Sequence, residues 1–229
     1  MLLVFIIWFV TVALASIASA WYIRQHGLSD LATALYVVYM AMAQILAAKI
    51  VIFNFGLFKV SAPAAVLIFP FTFQLIDIVN EAFGAKVTRR MIIIAFITQV
   101  FMTLFILMAT LATPSHLWRG HEAWHQLMTL VPRIVVASWV AFIISQNIDA
   151  LLFAWLRKFT RAKHLWLRNV LSDVLSLALD SFIFIFLAFY GVTPVIPLII
   201  GQVVTKCLIG FIDAPFIYLS YAIIKGKKR

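Results

Sequence analysis

Apolar residues occur along this chain in blocks of about twenty, separated by short polar stretches rather than alternating with them. Seven blocks can be drawn, at 1–22, 31–53, 63–83, 91–113, 134–156, 170–190 and 195–224. About 20 apolar residues in a helix cross the hydrocarbon core of a bilayer, so each block is long enough to span. Barrel strands would give shorter segments of alternating polarity, so the blocks predict helices. The last block is longer than a span needs and holds Lys206, Asp213 and Pro215, which predicts a tilt or a kink at Pro215. The first block contains Ala18-Ser19-Ala20, similar to a leader cleavage site. It has no basic stretch before its apolar run, and that run exceeds a leader's apolar core, so it is read as a retained transmembrane helix.

The stretch 115–133 breaks this pattern. It is too polar to span and too long for a tight turn, yet Leu117, Trp118, Trp124, Leu127, Met128 and Val131 form one apolar face. An interfacial or re-entrant helix on the outer side is expected, either covering a substrate site or anchored among headgroups.

Composition agrees with the pattern. Of the 229 residues, 65% are hydrophobic and only 11% charged, with a mean hydropathy of +1.09. Soluble domains carry roughly 25% charged residues. The chain is therefore expected to be an all-α, polytopic membrane helical bundle in one compact unit. A formal charge of +10 would suit nucleic acid, but the basic residues flank the apolar blocks, as the positive-inside rule requires. Thirteen of them (Arg24; Lys86, Arg89, Arg90; Arg157, Lys158, Arg161, Lys163, Arg168; Lys225, Lys227, Lys228, Arg229) follow the first, third, fifth and seventh blocks. The opposite loops hold three, Lys59, Arg119 and Arg133. That asymmetry predicts a cell-membrane protein with its N-terminus outside and its C-terminus in the cytoplasm, and no nucleic-acid partner. Cys207 is the single cysteine, so no internal disulfide forms.

The acidic residues carry the functional signal. Six of the eight (Asp77, Glu81, Asp149, Asp173, Asp180 and Asp213) lie in or at the ends of apolar blocks. A carboxylate in hydrocarbon costs roughly 2.5–3.5 kcal/mol on insertion scales, so such groups face a protein interior or a water-filled cavity. The third block supplies Gln74, Asp77, Asn80 and Glu81, the last three at i, i+3, i+4 on one helical face. The fifth supplies Ser138, Ser145 and Asp149 with Gln146 and Asn147 beside them; the sixth Asn169, Asp173, Ser176 and Asp180; the seventh Gln202, Lys206 and Asp213. Four such stripes facing one another make a polar core. Lone Ser or Asn residues are better read as interhelical glue, but Asp77, Asp180 and Asp213 together point to a site. Lys206 is expected to neutralise a neighbouring carboxylate, because an unpaired buried charge is too costly. Glu81, near the inner boundary, is expected to pair with Arg89 and Arg90, which leaves Asp77 as the better ligand candidate on that helix.

His121-Glu122-Ala123-Trp124-His125 matches H-E-x-x-H, which on a helix offers two imidazoles to zinc. Catalytic zinc needs a third protein ligand; His116 has poor helical spacing to join them, and His26 and His164 fall on the other side of the membrane. No G-x-S-x-G elbow, Walker A loop or G-x-G-x-x-G is present. No metal, cofactor or enzymatic activity is expected.

Four blocks in order, FPFTFQLIDIVNEAFGAKVTRR (69–90), PRIVVASWVAFIISQNIDALLFAWLRK (132–158), WLRNVLSDVLSLALDSFIFIFLAFYG (166–191) and TKCLIGFIDAPFIYL (205–219), resemble the queuosine precursor transporter family, also called the vitamin uptake transporter-like family. The resemblance covers about 31–224. It implies a six-helix core like that of the substrate-binding subunits of vitamin importers, over 31–229, with 1–30 as an added helix. It also implies import of 7-deazaguanines (7-cyano-7-deazaguanine, 7-aminomethyl-7-deazaguanine or queuine) for tRNA modification. Residues matching the family pattern are Asp77, Asn80, Glu81, Arg89, Arg90, Arg133, Gln146, Asp149, Asp180, Lys206 and Asp213. Of these, Asp77, Asn80, Gln146, Asp149, Asp180, Lys206 and Asp213 are the substrate-binding candidates, and Glu81, Arg89, Arg90 and Arg133 the structural ones. A carboxylate would accept the N–H donors of the base edge, Asn80, Gln146 or Lys206 would donate to its carbonyl, and aromatic rings would stack on its faces. Alternatives are a vitamin-binding subunit energised by a separate ATPase, and a proton-coupled carrier of another small polar solute. Homo-oligomerisation and an energising partner stay open.

Overall fold

The computed structural model describes the backbone of residues 2–159 and 165–226; the side chains at 2, 70, 149–150, 152–159, 165–173, 211, 213–214 and 217 lie outside the described set. The elements, in order, are α1 (Leu2–His26), α2 (Asp30–Ala47), β1 (Ile50–Asn54), β2 (Lys59–Pro63), a 3-10 turn (Ala64–Leu67), α3 (Phe69–Phe83), α4 (Ala85–Leu111), α5 (His121–Met128), α6 (Val131–Phe159), α7 (Leu165–Phe189) and α8 (Val195–Lys225). The architecture is an all-α membrane bundle with one small hairpin. Among the described residues, five stretches are long and apolar enough to cross a bilayer: Leu3–His26, Asp30–Ala47, Ala64–Phe83, Ala85–Leu111 and His121–Ile148. Shorter apolar stretches occupy Val174–Phe189 in α7 and Val195–Gly210 in α8. Large apolar side chains such as Phe101, Leu104, Phe105 and Met108 stand exposed along α4, as a helix facing lipid permits.

The hairpin corrects the expected second block. The apolar run to Phe53 is not one helix: α2 stops at Ala47, and 50–54 pairs antiparallel with 59–63, Ile50 opposite Pro63 and Asn54 opposite Lys59. Ile50, Val51, Ile52 and Phe53 are β-branched or aromatic and favour a strand. Asn54 Oδ1 accepts the Gly56 N–H at 3.0 Å and turns the chain. The third block is shortened for the same reason, with α3 starting at Phe69 after the 3-10 turn. Only His121–Met128 of the stretch 115–133 forms a separate helix, because α6 already begins at Val131. α5 is held to the end of α4 by the Trp124 indole, which donates to Thr110 Oγ1 at 3.2 Å. Pro215 lies inside α8, which the structure gives as one helix.

A single residue, Gly84, separates α3 from α4. Its φ of 78° and ψ of 172° are a conformation open essentially to glycine alone. α6 and α7 make the most extensive helix–helix contact, and β2 packs along α8. At that contact, the ideal Cβ position on Gly201 overlaps the Ser61 carbonyl oxygen, so helix and strand meet backbone to backbone. α1 lies against α8 and α3. The Trp8 indole donates to Leu67 O at 2.6 Å, and the Ser16 hydroxyl lies 3.0 Å from Gln74 Oε1.

The buried side chains form two clusters. One joins α1, α2, the hairpin, α3, α4 and α8 through Tyr36, Phe53, Leu75, Ile78 and Met91. The other joins α2, α6, α7 and α8 through Ala47, Ile134, Ile185, Phe189 and Leu198.

Candidate functional site

A cavity lies where the two clusters meet. Its described lining comes from α2 (Tyr36, Met40, Ala43, Gln44, Ala47), the end of β2 and the 3-10 turn (Pro63, Ala65, Val66) and α3 (Phe69, Thr72, Phe73, Ile76). It is completed by α4 (Phe96), α6 (Ser138, Phe142), α7 (Asp180, Phe184) and α8 (Gln202, Lys206). Neither α1 nor α5 contributes to this lining. An apolar, aromatic wall with a few convergent polar groups is the usual make-up of a small-molecule site.

α3 shows how the lining is selected. Phe69, Thr72, Phe73 and Ile76 recur at i, i+3, i+4, i+7 and form the cavity face. At about 100° per residue, Gln74, Asp77 and Glu81 lie on a different face. Gln74 meets Ser16 of α1, and Glu81 Oε1 pairs with Lys225 Nζ of α8 at 2.7 Å. The expected pairing of Glu81 with Arg89 and Arg90 is thus replaced by Lys225, which the parallel packing of α3 on α8 brings alongside. Asp77 and Asn80 are exposed and do not appear in the described lining.

The polar centre of the cavity is Lys206 Nζ, 2.6 Å from Asp180 Oδ2, with both side chains buried. A hydrogen-bonded ion pair is the arrangement that makes two buried charges tolerable. The ammonium also sits over the Phe69 ring, 3.4 Å from its centroid, a cation–π contact strengthened by desolvation. One turn earlier on α8, Gln202 is buried, and its Oε1 has no hydrogen-bond partner among the described residues. Gln202 and Lys206 at i, i+4 share the cavity face of α8, while Gly201 beside them faces the strand.

Across the cavity, Gln44 Nε2 donates to Gln99 Oε1 at 2.9 Å and lies 3.3 Å from Ser138 Oγ. The Trp139 indole also donates to Gln99 Oε1, at 3.2 Å. Three helices, α2, α4 and α6, are tied together by this network. Ser138 and Gln202 lie on polar stripes legible in the sequence, whereas Gln44, Gln99 and Trp139 lie on none of them. A lone amide near the middle of each of two apolar blocks was the available signal, because such a group needs a partner.

The remaining candidates fall elsewhere. Gln146, Arg89 and Arg90 are exposed and absent from the described lining. The side chains of Asp149 and Asp213, and of Asp173 on the sixth stripe, lie outside the described residues. Arg133 has a structural position: its Nε donates to Leu187 O and its Nη2 to Tyr190 O, both at 2.7 Å. It thereby caps the C-terminal carbonyls of α7, where a cation is favoured. His121 and His125 sit on α5 with ring centroids 6.0 Å apart. Among the described residues, no group of three or more His, Cys, Asp or Glu side chains is placed to hold a metal.

Comparison with known proteins adds a family. Residues 63–220 match the model of a family described as putative vitamin uptake transporter. The chain is 26% identical to a probable queuosine precursor transporter of Bacillus subtilis over 84% of this chain and 86% of that one. It is 29% identical to a probable queuosine precursor transporter of Haemophilus influenzae, over 54% of this chain and 50% of that one. It is also 29% identical to the queuosine precursor transporter of Escherichia coli, over 53% of this chain and 52% of that one. No solved structure gives a significant match.

Proposed function

The chain belongs to the putative vitamin uptake transporter family, and from that premise we propose that it is a membrane importer of queuosine precursors, taking up 7-deazaguanine bases for tRNA modification. The observation that carries this reading is the cavity: six long helices enclose it, aromatic rings line it, and its polar centre is a single buried ion pair, Asp180–Lys206. Phe73, Phe96 and Phe142 offer aromatic surface to a flat base, and base–aromatic stacking is sequence-tolerant and favourable. In this reading α2, α3, α4, α6, α7 and α8 form the working core within 31–229, and the helix within 1–30 is an accessory braced against α8.

The N-terminus lies outside and the C-terminus in the cytoplasm. The excess of basic residues after alternate blocks supports this orientation, as does the meeting of three helix ends there. Lys225 of α8 pairs with Glu81 of α3, and the Arg24 guanidinium of α1 lies against Gly226. A C-terminal reporter active only in the cytoplasm is expected to be active; inactivity would reverse the orientation.

Uptake of labelled 7-cyano-7-deazaguanine into cells that neither make nor import it tests the function. Expression of this chain is expected to give uptake and queuosine in tRNA. No uptake of any 7-deazaguanine, with the protein present in the membrane, would overturn the reading.

A further inference from the structure

Among the described lining residues, the cavity holds one carboxylate and one ammonium, and each is committed to the other: Lys206 Nζ lies 2.6 Å from Asp180 Oδ2. Wherever the shared proton resides, the pair carries no net charge. The ammonium also rests on the Phe69 ring. A second ammonium entering the cavity would lose its hydration, meet Lys206 and find no uncommitted carboxylate among those residues.

A neutral acceptor is present instead. Gln202 is 4% exposed, lines the cavity, and has an Oε1 without a partner among the described residues. Such an atom is costly to bury unless something donates to it. On the facing wall, the Gln44 amide nitrogen is engaged by Gln99 and Ser138. Trp139 donates to the same Gln99 oxygen and fixes that network.

We infer that the cavity reads its ligand through a neutral carboxamide carbonyl, that of Gln202, and selects an uncharged, N–H-bearing flat heterocycle over the same ring carrying an aminomethyl ammonium. This rests on the reading of the cavity as the substrate site. Ring and exocyclic N–H groups donate to that carbonyl, and the Asp180–Lys206 pair holds α7 to α8.

The test is equilibrium binding to the purified full chain in lipid nanodiscs, with 7-cyano-7-deazaguanine as the neutral probe and 7-aminomethyl-7-deazaguanine as the cationic one. The neutral probe is expected to bind roughly tenfold or more tightly, the loss of about one good hydrogen bond or its equivalent in desolvation separating the two. Gln202→Glu places a carboxylate of the same shape in the wall and should shift the ratio toward the cation by about tenfold. Gln202→Met should weaken the neutral probe by about tenfold without lowering the melting temperature. If Gln202→Glu fails to fold, the affinity of Gln202→Met for the neutral probe carries the test. Equal or tighter binding of the cation by the unaltered chain, a ratio unmoved by Gln202→Glu, or an undiminished affinity for the neutral probe in Gln202→Met, would overturn the inference and leave the transport reading standing. Binding of neither probe would overturn the transport reading itself, and the inference with it.

Discussion

Two carboxylate–ammonium pairs link α8 to its neighbours, and they have almost the same length: Asp180–Lys206 at 2.6 Å and Glu81–Lys225 at 2.7 Å. Their surroundings differ. The first has side chains 11% and 3% exposed, the second 41% and 68%. In water, a pair contributes little, because both partners are well solvated when apart. Inside the bundle, neither partner can be left alone. The same chemistry is therefore a fastening at one end of the bundle and a constraint on the whole cavity in the middle. Distance alone does not distinguish them; the dielectric around them does.

Breaking each pair should separate the two regions. Asp180→Asn leaves a buried ammonium without its counterion and is expected to cost about 3–5 kcal/mol, read as a fall in melting temperature and loss of uptake. The double change Asp180→Asn with Lys206→Met should recover much of the stability, since both charges are gone. A smaller effect is expected from Gly201→Val, which forces side-chain atoms into the Ser61 carbonyl; overpacking of this kind costs about 1–3 kcal/mol and should lower stability without altering the cavity's charge. Glu81→Gln should cost at most about 1 kcal/mol, discounted further by solvent because both partners are well exposed, and the difference should shrink at high salt. Asp77→Asn, on the exposed face of α3, should change ligand affinity by no more than about twofold, the usual scale of a surface substitution. An uptake defect in Asp77→Asn as deep as that in Asp180→Asn would remove the contrast between the two regions.

The sequence announces membrane helices plainly, since a run of apolar residues has few other uses at that length. The hairpin was hidden because β1 continues the apolar run of α2. A short apolar stretch fits strand or helix equally by periodicity, and the arbiters are Ile50, Val51, Ile52 and the Asn54–Gly56 turn. The site was half visible. Asp180 and Lys206 stand out because charge in an apolar block demands an explanation. Asp77 and Glu81 stand out for the same reason, yet Glu81 pairs with Lys225 and Asp77 is exposed and absent from the described lining. Helical period shows which residues share a face, but tertiary packing decides which face meets the cavity, and on α3 it is the face of Phe69, Thr72, Phe73 and Ile76. Gln44 was missed because one uncharged amide makes no stripe.

The contact between Gly201 and Ser61 has a mechanical consequence. Where side chains separate two elements, rotamer changes let one slide past the other. Here two backbones touch with nothing between them, so β2 and this turn of α8 behave as a meshed gear without play. Gln202 follows Gly201 directly and Lys206 lies just over a turn further on, while Pro63 at the end of β2 forms part of the same cavity wall. A displacement of the hairpin would thus bear directly on the turn of α8 that holds Gln202.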